Sequence, residues 1–529
     1  MSPSGPTEPD GPSARGALAQ VVRDFREFAP LYTAAESRAS DADLAPAPGQ
    51  VDGPLGWTGY DEARARAARR TGESESVVCG TGTVGGTAGT EGGAGAGAVN
   101  GTDGTRAADG TGAPEGIQAV LISFEFGFLG GSLGEATGDR IEAAHVKARE
   151  LGLPVVTLVA TGGSRMQEGM RALSQLQRVA RQTALTRRAG LPHLAVVRDP
   201  STGGGWATLA AGADVTLGLP GAQAAFAGSR VRPPDADPAA YTVEGQHAAG
   251  HLDQIVPPAR LGRAVATWLA LLTGGGAYGR AGGGADGRAP EPAPVPYALP
   301  GPAGSGLPRN GPEAVARARS SDRPHAAAYL DAYFDTRQEI SGDRCGGVDP
   351  GTLCGFGLRA GRAIAYVAQC GTATLPAGYR TAARLIRMAD RLGLPVLTLI
   401  DTPGAANGAE DERAGAGPAI AEVFAAIAEA SVPVTSLLIG EGGSGGALAL
   451  AAPGRLWVTP DSYFSVIAPE SATAILKRTP DRLAETTESL RLRPQDAVTL
   501  GVARGMAEVR QSGESGPTPL RRGGNSSGE

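Results

Sequence analysis

Short continuous apolar runs alternate along the chain with segments whose apolar residues recur every three or four positions. The runs cover 155–159, 194–197, 396–400 and 434–439, and continuous runs of this length are typical of parallel strands covered on both faces. The periodic segments predict helices over 135–150, 166–180, 379–391 and 418–430. Strands that alternate with helices indicate an α/β fold with a parallel sheet, and we expect the apolar stripes to form its core.

The chain contains an internal repeat. Leu-Gly-Leu-Pro-Val occurs at 151–155 and again at 392–396, an offset of 241 residues. Further landmarks match at this offset: Gly163 with Gly404, Pro192 with Pro433, and Gly204-Gly205 with Gly445-Gly446. Compositional bias explains one such coincidence but not several in one ungapped register, so the repeat predicts a duplicated domain.

Segments rich in Gly, Pro, Thr and Ala separate and flank the two copies. Such segments lack the apolar residues needed for a core. We therefore predict a disordered leader over 1–50, a Gly-rich insertion over 80–116, a linker over 274–312 and a disordered tail over 511–529. The two domains are expected at 51–273 and 313–510.

Composition narrows the functional classes. The net charge of −6 and the pI near 5.6 argue against nucleic-acid binding, which requires a basic surface. No apolar run approaches the roughly 20 residues that span a bilayer, and no signal-peptide pattern is present, so we expect a cytoplasmic protein without membrane contact. The four cysteines have neither disulfide-framework nor metal-ligand spacing.

Glycine-rich loops follow four of the predicted strands. They occupy 161–168, 199–205, 401–404 and 440–446, and each precedes a helix. A Gly-Gly pair at a helix start presents free N–H groups, backed by the helix dipole, to a phosphate or to an oxyanion. An isolated pair in so Gly-rich a chain would be a plain turn, but two pairs at matched positions favour function. The phosphate-binding pattern Gly-x-x-x-x-Gly-Lys-Ser/Thr is absent.

Longer motifs carry a family resemblance. The segments 125–134, 162–168 (Gly-Gly-Ser-Arg-Met-Gln-Glu), 199–204 and 225–231 resemble the beta subunit of bacterial acetyl-CoA carboxylase carboxyltransferase. The segments 401–404 (Asp-Thr-Pro-Gly), 439–448 and 463–470 resemble its alpha subunit, as do 323–324, Tyr329 and 342–344. The resemblance covers about 52–80, 117–273 and 313–510.

The resemblance implies two tandem domains of the ClpP/crotonase type and an active site shared between the two kinds of domain. One backbone oxyanion hole would polarise an acyl thioester and the other the ureido oxygen of biotin. By motif, the donors are Gly203 with Gly204, or Gly204 with Gly205 if the repeat sets the register, together with Gly445 and Gly446. We assign the first half to acyl-CoA and the second half to biotin. The expected substrate-binding residues are Gly162, Gly163, Arg165, Gly205, Gly404, Gly443 and Ser444; Arg165 instead braces its loop if it pairs with Glu168.

The residue inventory agrees with this chemistry. No Ser-His-Asp set or metal cluster stands out, and carboxyl transfer needs mainly orientation and stabilisation of two oxyanions, because the released ureido nitrogen removes the acyl proton. The family's four-cysteine zinc ribbon has no counterpart here, so no zinc is expected. No Met-Lys-Met biotin site and no carboxylase module are present. Carboxybiotin on a separate carrier protein and a biotin carboxylase are therefore implied partners.

The alternatives differ in substrate or in class. Propionyl-CoA or another acyl-CoA could replace acetyl-CoA as the substrate. A crotonase-type hydratase or isomerase would need carboxylates in the cleft, and the fused pair argues against it. A catalytically silent scaffold that binds CoA or carrier is the third possibility. The resemblance also implies a homo-oligomer, a dimer of fused chains.

Overall fold

The computed structural model describes residues 13–29, 52–85, 116–274, 290–301 and 306–510. The chain forms two compact units. The first comprises Met1–Pro290 with the short segments Glu339–Asp349 and Arg387–Leu394, and the second comprises Glu291–Gln338, Pro350–Ile386 and Pro395–Glu529. Each contains one mixed sheet of eight strands.

The first sheet has the strand order β1-β2-β3-β4-β5-β6-β8, with β7 paired to the end of β5. Pairing is antiparallel between β1, β2 and β3 and parallel from β3 onward. Its strands are β1 (Val22–Glu27), β2 (Val77–Val84), β3 (Ile117–Phe124), β4 (Val155–Thr161), β5 (His193–Thr202), β6 (Val215–Gly218), β7 (Ala224–Ala225) and β8 (Gln254–Ile255).

The helices of the first half cover this sheet. They are α1 (Ala14–Val21), α2 (Tyr60–Thr71), α3 (Glu135–Leu151), α4 (Gly169–Arg188), α5 (Gly203–Gly205), α6 (Val243–Ala248) and α7 (Leu261–Leu272). The π-helical segment Trp206–Ala210 continues α5. The core contains the inward side chains of the central strands, including Ile122, Val155, Val159 and Val197.

The second sheet repeats the arrangement in the order β16-β14-β13-β12-β11-β10-β9, with β15 paired to the end of β13. Pairing is antiparallel between β10 and β11 and parallel from β11 to β16. Its strands are β9 (Thr336–Ile340), β10 (Thr352–Arg359), β11 (Arg362–Gln369), β12 (Val396–Thr402), β13 (Val434–Gly443), β14 (Leu456–Val458), β15 (Tyr463–Ser465) and β16 (Gly505–Met506).

The helices of the second half follow the same plan. They are α8 (Gly311–Ala318), α9 (Ala326–Tyr333), α10 (Pro376–Leu392), α11 (Ala409–Arg413), α12 (Ala416–Glu429), α13 (Ser444–Leu448), α14 (Pro469–Ile475), α15 (Leu483–Ser489) and α16 (Pro494–Thr499). The core contains Leu330, Tyr366, Leu397 and Ile439. No helix of the described segments is long and apolar enough to cross a membrane.

The predicted strands and the α/β class are confirmed. Each continuous apolar run forms a buried strand, and β4 pairs with β5 in parallel as β12 does with β13. Strands β5 and β13 extend into the glycine loops, to Thr202 and Gly443. The loops therefore follow the carboxyl ends of the strands directly, at the edge where α/β sheets collect ligands.

The predicted leader is wrong for its described part. Residues 14–27 form α1 and β1, because Ala14, Ala17, Leu18 and Val21 share one buried helix face that the predicted leader passed over. The Ala14 N–H donates to Glu125 Oε2 at 2.7 Å, which fixes α1 to the end of β3. The remainder of the leader lies outside the described residues.

The insertion and the linker were predicted too long, since residues within both predicted ranges belong to the folded units. Gly80 to Val84 belong to β2, and the insertion proper, 86–115, lies outside the described residues. In the predicted linker, Ala293 and Ala298 are buried in the second core, and Ala298 bridges to Val509. The predicted tail, 511–529, also lies outside the described residues.

Helix α4 buries a different face from the one that the sequence predicts. The apolar stripe predicted as core leaves Met166, Met170 and Leu173 exposed by 69%, 72% and 46%. The buried residues of the helix are instead largely polar: Ala172, Gln175, Val179, Gln182, Thr183 and Thr186. Packing against the polar face of α3 accounts for this reversal, since Glu142 and Arg149 there bond to Gln182.

Candidate active site

Each unit contains one of two matched backbone turns. We call Gly203–Gly205 turn A and Ser444–Gly446 turn B; they lie 241 residues apart and each joins a buried strand to a short helix. Both begin with a left-handed residue, Gly203 at φ +66° and Ser444 at φ +55°. The two turns therefore share one backbone geometry, which confirms the register of the repeat.

That geometry decides between the two predicted donor pairs in turn A. The Gly203 N–H donates to the Phe226 carbonyl at 3.0 Å, so it is already occupied. The N–H groups of Gly204 and Gly205 lie in the first helical turn, where a helix supplies no acceptor of its own. The inclusion of Gly203 among the donors is thus corrected, and Gly204 with Gly205 matches Gly445 with Gly446.

A second glycine loop supports each turn. In the first unit, a Cβ on Gly203 would lie 2.9 Å from the Gly163 Cα, so these two loops touch through bare backbone. The Gly163 N–H donates to Thr161 Oγ1, and Gly162 N–H donates to the Gly130 carbonyl at 2.8 Å. Gly162 is exposed and Gly163 buried.

In the second unit the loop of Gly404 lies against turn B. The Gly404 N–H donates to Thr402 Oγ1 at 3.1 Å, and a Cβ on Gly446 would lie 3.0 Å from the Gly404 carbonyl carbon. Gly443 is buried with no room for a side chain against Pro403. The structure therefore brings the predicted Gly404, Gly443, Gly445 and Gly446 together.

The two turns differ in accessibility. A Cβ on Gly445 would meet no atom within 4 Å, and both Ser444 and Gly445 are exposed. Gly204 and Gly205 are buried, and a Cβ on Gly204 would overlap the Leu176 side chain. Turn B is consequently the more open of the two, and Leu176 forms one wall of turn A.

Arg165 lies inside the first unit and not at its surface. Its guanidinium is 1% exposed and pairs with Glu75 and with Glu168, the latter at 3.0 Å. It also donates to the Ser132 carbonyl at 2.9 Å. The pairing with Glu168 that the alternative required is present, and the burial of Arg165 favours a bracing role over contact with substrate.

The network around Arg165 connects several elements behind turn A. Glu168 accepts from the hydroxyl of Tyr60 in α2 and, at 2.6 Å, from the Glu135 N–H at the start of α3. Burial opposes ionisation of Glu75, but the charge and hydrogen bonds of Arg165 hold its pKa below the ordinary value. The ion pairs thus tie α2, α3 and the Gly162–Gly163 loop into one rigid support.

Turn B has its own braces. Asp401, at the end of β12, is fully buried; it accepts from Arg323 Nη2 at 2.7 and 2.8 Å and from the Glu441 N–H at 3.1 Å. Burial raises the pKa of Asp401, while Arg323 opposes that rise. His325 Nδ1 lies 3.5 Å from Asp401 Oδ2, which also accepts from Arg323.

Glu441 is held from its side chain as well. Arg319 donates to Glu441 at 2.8 Å and to Glu470 at 2.7 Å, and the Tyr463 hydroxyl donates to Glu441 at 2.7 Å. Both glutamates therefore pair with the same guanidinium. Their ion pairs with Arg319 fasten α14 and the end of β13 next to turn B.

Sequence reasoning missed Thr161, Thr402, Arg319 and Arg323 as structural parts of the site. The repeat offset was the available signal for the threonines, because Thr161 and Thr402 match at 241 residues. Arg323 lies in the motif at 323–324, but neither its pairing nor that of Arg319 has a local signal, because their partners are 78 or more residues away. Among the described residues, no group of three or more His, Cys, Asp or Glu is placed to hold a metal ion.

Comparison with known proteins agrees with these features. A family described as "Acetyl co-enzyme A carboxylase carboxyltransferase-like" matches residues 310–513, and one described as "Carboxyl transferase domain" matches residues 99–249. The 12S transcarboxylase core, solved as a hexamer with hydrolysed methylmalonyl-coenzyme A bound, aligns with a TM-score of 0.69 at 18% identity. The alignment covers 97% of this chain and 92% of that chain, and it shows the crotonase-like fold.

Sequence relatives carry the resemblance across both halves. The "Acetyl-coenzyme A carboxylase carboxyl transferase subunits beta/alpha" of Saccharopolyspora erythraea is 35% identical over 486 residues, 88% of this chain and 77% of the relative. Its counterpart in Salinispora tropica is 36% identical over 87% of this chain and 78% of the relative. The chain therefore belongs to the family of fused acetyl-CoA carboxylase carboxyl transferase beta/alpha subunits and is a carboxyltransferase.

Proposed function

We propose that this carboxyltransferase moves the carboxyl group of carboxybiotin, carried on a separate protein, to acetyl-CoA and so forms malonyl-CoA. The names of the relatives in Saccharopolyspora and Salinispora support acetyl-CoA as the acceptor. The observation that carries the proposal is the pair of matched turns with amide donors at Gly204, Gly205, Gly445 and Gly446.

Turn A is assigned to the acyl thioester. Its Gly204 and Gly205 N–H groups would donate to the thioester oxygen as negative charge develops there in the enolate. Burial beneath Leu176 lowers the local dielectric and strengthens such donors. The Gly162–Gly163 loop, held by Arg165, would keep the turn from moving during the reaction.

Turn B is assigned to biotin. Its Gly445 and Gly446 N–H groups would donate to the ureido oxygen, which gains negative charge as the carboxyl group leaves. The exposed position of Gly445 and Ser444 suits a substrate that arrives on a carrier protein. Gly404 and Gly443 allow the backbone to approach closely, and the Ser444 hydroxyl would add a side-chain donor.

The transfer balances without a side-chain base. The N–C bond of carboxybiotin breaks, the ureido nitrogen takes a proton from the acetyl methyl group, and a C–C bond forms to the released carboxyl carbon. The role of this chain is to orient both substrates and to stabilise the two oxyanions, which are the contributions that pre-organised backbone dipoles supply.

The reverse reaction tests the proposal. The full chain should carboxylate biocytin from malonyl-CoA and release acetyl-CoA. Gly445→Val should lower turnover about 100-fold or more, because two methyl groups would occupy the space in front of turn B while the fold has room for them. Gly306→Val is the matched control, since a Cβ there also meets no atom within 4 Å.

The outcomes separate the alternatives. An inactive wild-type chain that still binds its carrier would indicate a silent scaffold. Full activity of Gly445→Val would remove turn B from the mechanism. Equal losses in Gly445→Val and Gly306→Val would show only that valine is poorly tolerated at open glycines.

The proposal includes partners that the chain does not itself provide. A biotin carboxyl carrier protein and a biotin carboxylase would supply the carboxybiotin. A homo-oligomer, in the simplest case a dimer of fused chains, is expected, and light scattering of the purified chain measures its mass. A monomeric and fully active chain would contradict this part.

A further inference from the structure

The exposed apolar surface of α4 is an unexplained feature next to turn A. Met166, Met170 and Leu173 form this surface, which we call the methionine strip. Leu173 follows Met170 by three residues, so these two side chains share one face of α4, and Met166 precedes them in the 3-10 turn Met166–Glu168. Large apolar side chains gathered on one face of a helix indicate a surface that binds something.

The orientation of the helix is held by its opposite face. Gln182 donates to Glu142 at 2.6 Å, and Arg178 donates to Asp139 at 2.7 Å; both acceptors lie on α3. Gly138 leaves the space that Gln175 fills. Rotating the strip inward would bury apolar groups against these charges, so its exposure is built into the packing.

The strip begins after the Gly162–Arg165 loop and runs toward turn A. Met166 follows the loop Gly162–Arg165 directly, and Leu176, one turn beyond Leu173, is the wall of turn A against Gly204. From Leu176 to Met170 the helix spans six residues, about 9 Å at the α-helical rise. Leu176, Leu173 and Met170 thus lie at successive three-residue intervals along α4, leading away from turn A.

A second exposed apolar residue is bonded to turn A through its backbone. Phe226 is 71% exposed, and its carbonyl accepts the Gly203 N–H. The methionine strip and Phe226 are thus two exposed apolar features near turn A. An acetyl group is too short to cover either of them.

The second half provides an internal comparison. At the repeat offset, Met166, Met170, Leu173 and Leu176 correspond to Asn407, Asp411, Ala414 and Gly417. The matched surface beside turn B is therefore polar or small. The strip is specific to the half assigned to the acyl thioester, and the duplicated backbone does not itself require it.

We propose that the methionine strip binds the acyl chain of medium-chain acyl-CoA thioesters, so that the enzyme carboxylates acceptors longer than acetyl-CoA. The inference rests on the proposed function, since it places the thioester at turn A. Methionine suits this role because its flexible side chain adapts to chains of different length. The burial of apolar surface on both partners supplies the selectivity for longer chains.

A chain-length series in the reverse reaction tests this. Malonyl-CoA, butylmalonyl-CoA and hexylmalonyl-CoA each donate their carboxyl group to biocytin: the C–C bond breaks, the N–C bond forms, and the ureido proton moves to the α carbon. The wild-type chain should use hexylmalonyl-CoA with a kcat/KM at least equal to that for malonyl-CoA.

Variants of the strip locate the effect. Met170→Ser and Leu173→Ser should each lower the ratio of kcat/KM for hexylmalonyl-CoA over malonyl-CoA about tenfold. Leu151→Ser is the control, because Leu151 is a 49% exposed apolar residue at the far end of α3, before β4 begins. Its ratio should equal that of the wild type.

Several results would overturn the proposal. Turnover of malonyl-CoA with none of hexylmalonyl-CoA would leave the carboxyltransferase function intact and exclude the acyl path. If the strip variants lost kcat/KM equally for all three donors, the acyl path would likewise be excluded. A change in mass by light scattering in Met170→Ser, with the ratio unchanged, would assign the strip to contact with a second copy of the chain.

Discussion

Acid should destabilise the first unit through two buried histidines. His145 of α3 and His193 of β5 are both fully buried, with ring centroids 5.7 Å apart. His145 pairs with Thr186 and His193 with Thr157, and each ring keeps one buried nitrogen without a partner among the described residues. Both rings are therefore packed as neutral groups.

The sign and size of the effect follow from their pKa values. Burial first, and then nearby positive charge, lowers the pKa of His145 and of His193 to about 3. An unfolded histidine titrates near 6.5, so the stabilisation is complete above that pH and is lost as the pH falls from 6.5 toward 3. At pH 5 the loss is about 2 kcal/mol for each ring, hence about 4 kcal/mol for the pair.

The assay must report on the first unit alone. Hydrogen exchange of the β4 and β5 amides, corrected for intrinsic rates, measures the free energy of opening at pH 7 and pH 5. We expect the wild type to lose about 4 kcal/mol and His145→Gln about 2 kcal/mol over this range. His247→Gln, on the surface helix α6, should behave as the wild type. A wild-type loss below about 1 kcal/mol would refute the reasoning.

Three further variants probe the turns and their supports. Gly204→Val should lower the free energy of unfolding by about 1–3 kcal/mol, because its side chain would overlap Leu176. Gly445→Val should leave this free energy unchanged, and equal urea midpoints for the two variants would contradict the prediction. Arg165→Met should lower the free energy of unfolding by about 3–5 kcal/mol, because buried Glu75 would keep only the more distant Arg64, 3.8 Å away, as an ion-pair partner. A loss below about 1 kcal/mol, measured by urea unfolding, would count against the brace. Ser444→Gly should raise the unfolding free energy by up to about 1 kcal/mol by relieving its left-handed backbone, and a lower urea midpoint would contradict it.

Local patterns in the chain were enough to predict the sheets and the turns. Continuous apolar runs such as 155–159 form buried strands in any packing, because burial on both faces requires them to be apolar throughout. The repeat placed Gly204-Gly205 and Gly445-Gly446 at equivalent helix starts, and the structure confirms that equivalence. The motifs also sufficed to recognise the family.

Predictions for single side chains were less successful, since they depend on partners far along the chain. Arg165 was predicted to bind substrate because it follows a glycine loop, but it pairs in the interior with Glu75, 90 residues away. In the same way Arg319 reaches Glu441 across 122 residues. Short-range spacing contains no information about such pairs.

Helix α4 shows most clearly the difference between what the local sequence specifies and what distant contacts decide. Its sequence marks a helix and an apolar face, and both are present. Which face turns inward depended on α3, whose Glu142 and Arg149 offer charges that only a polar face can satisfy. Periodicity along the chain specifies the elements and their chemistry, while burial and pairing between distant segments specify the direction each side chain faces.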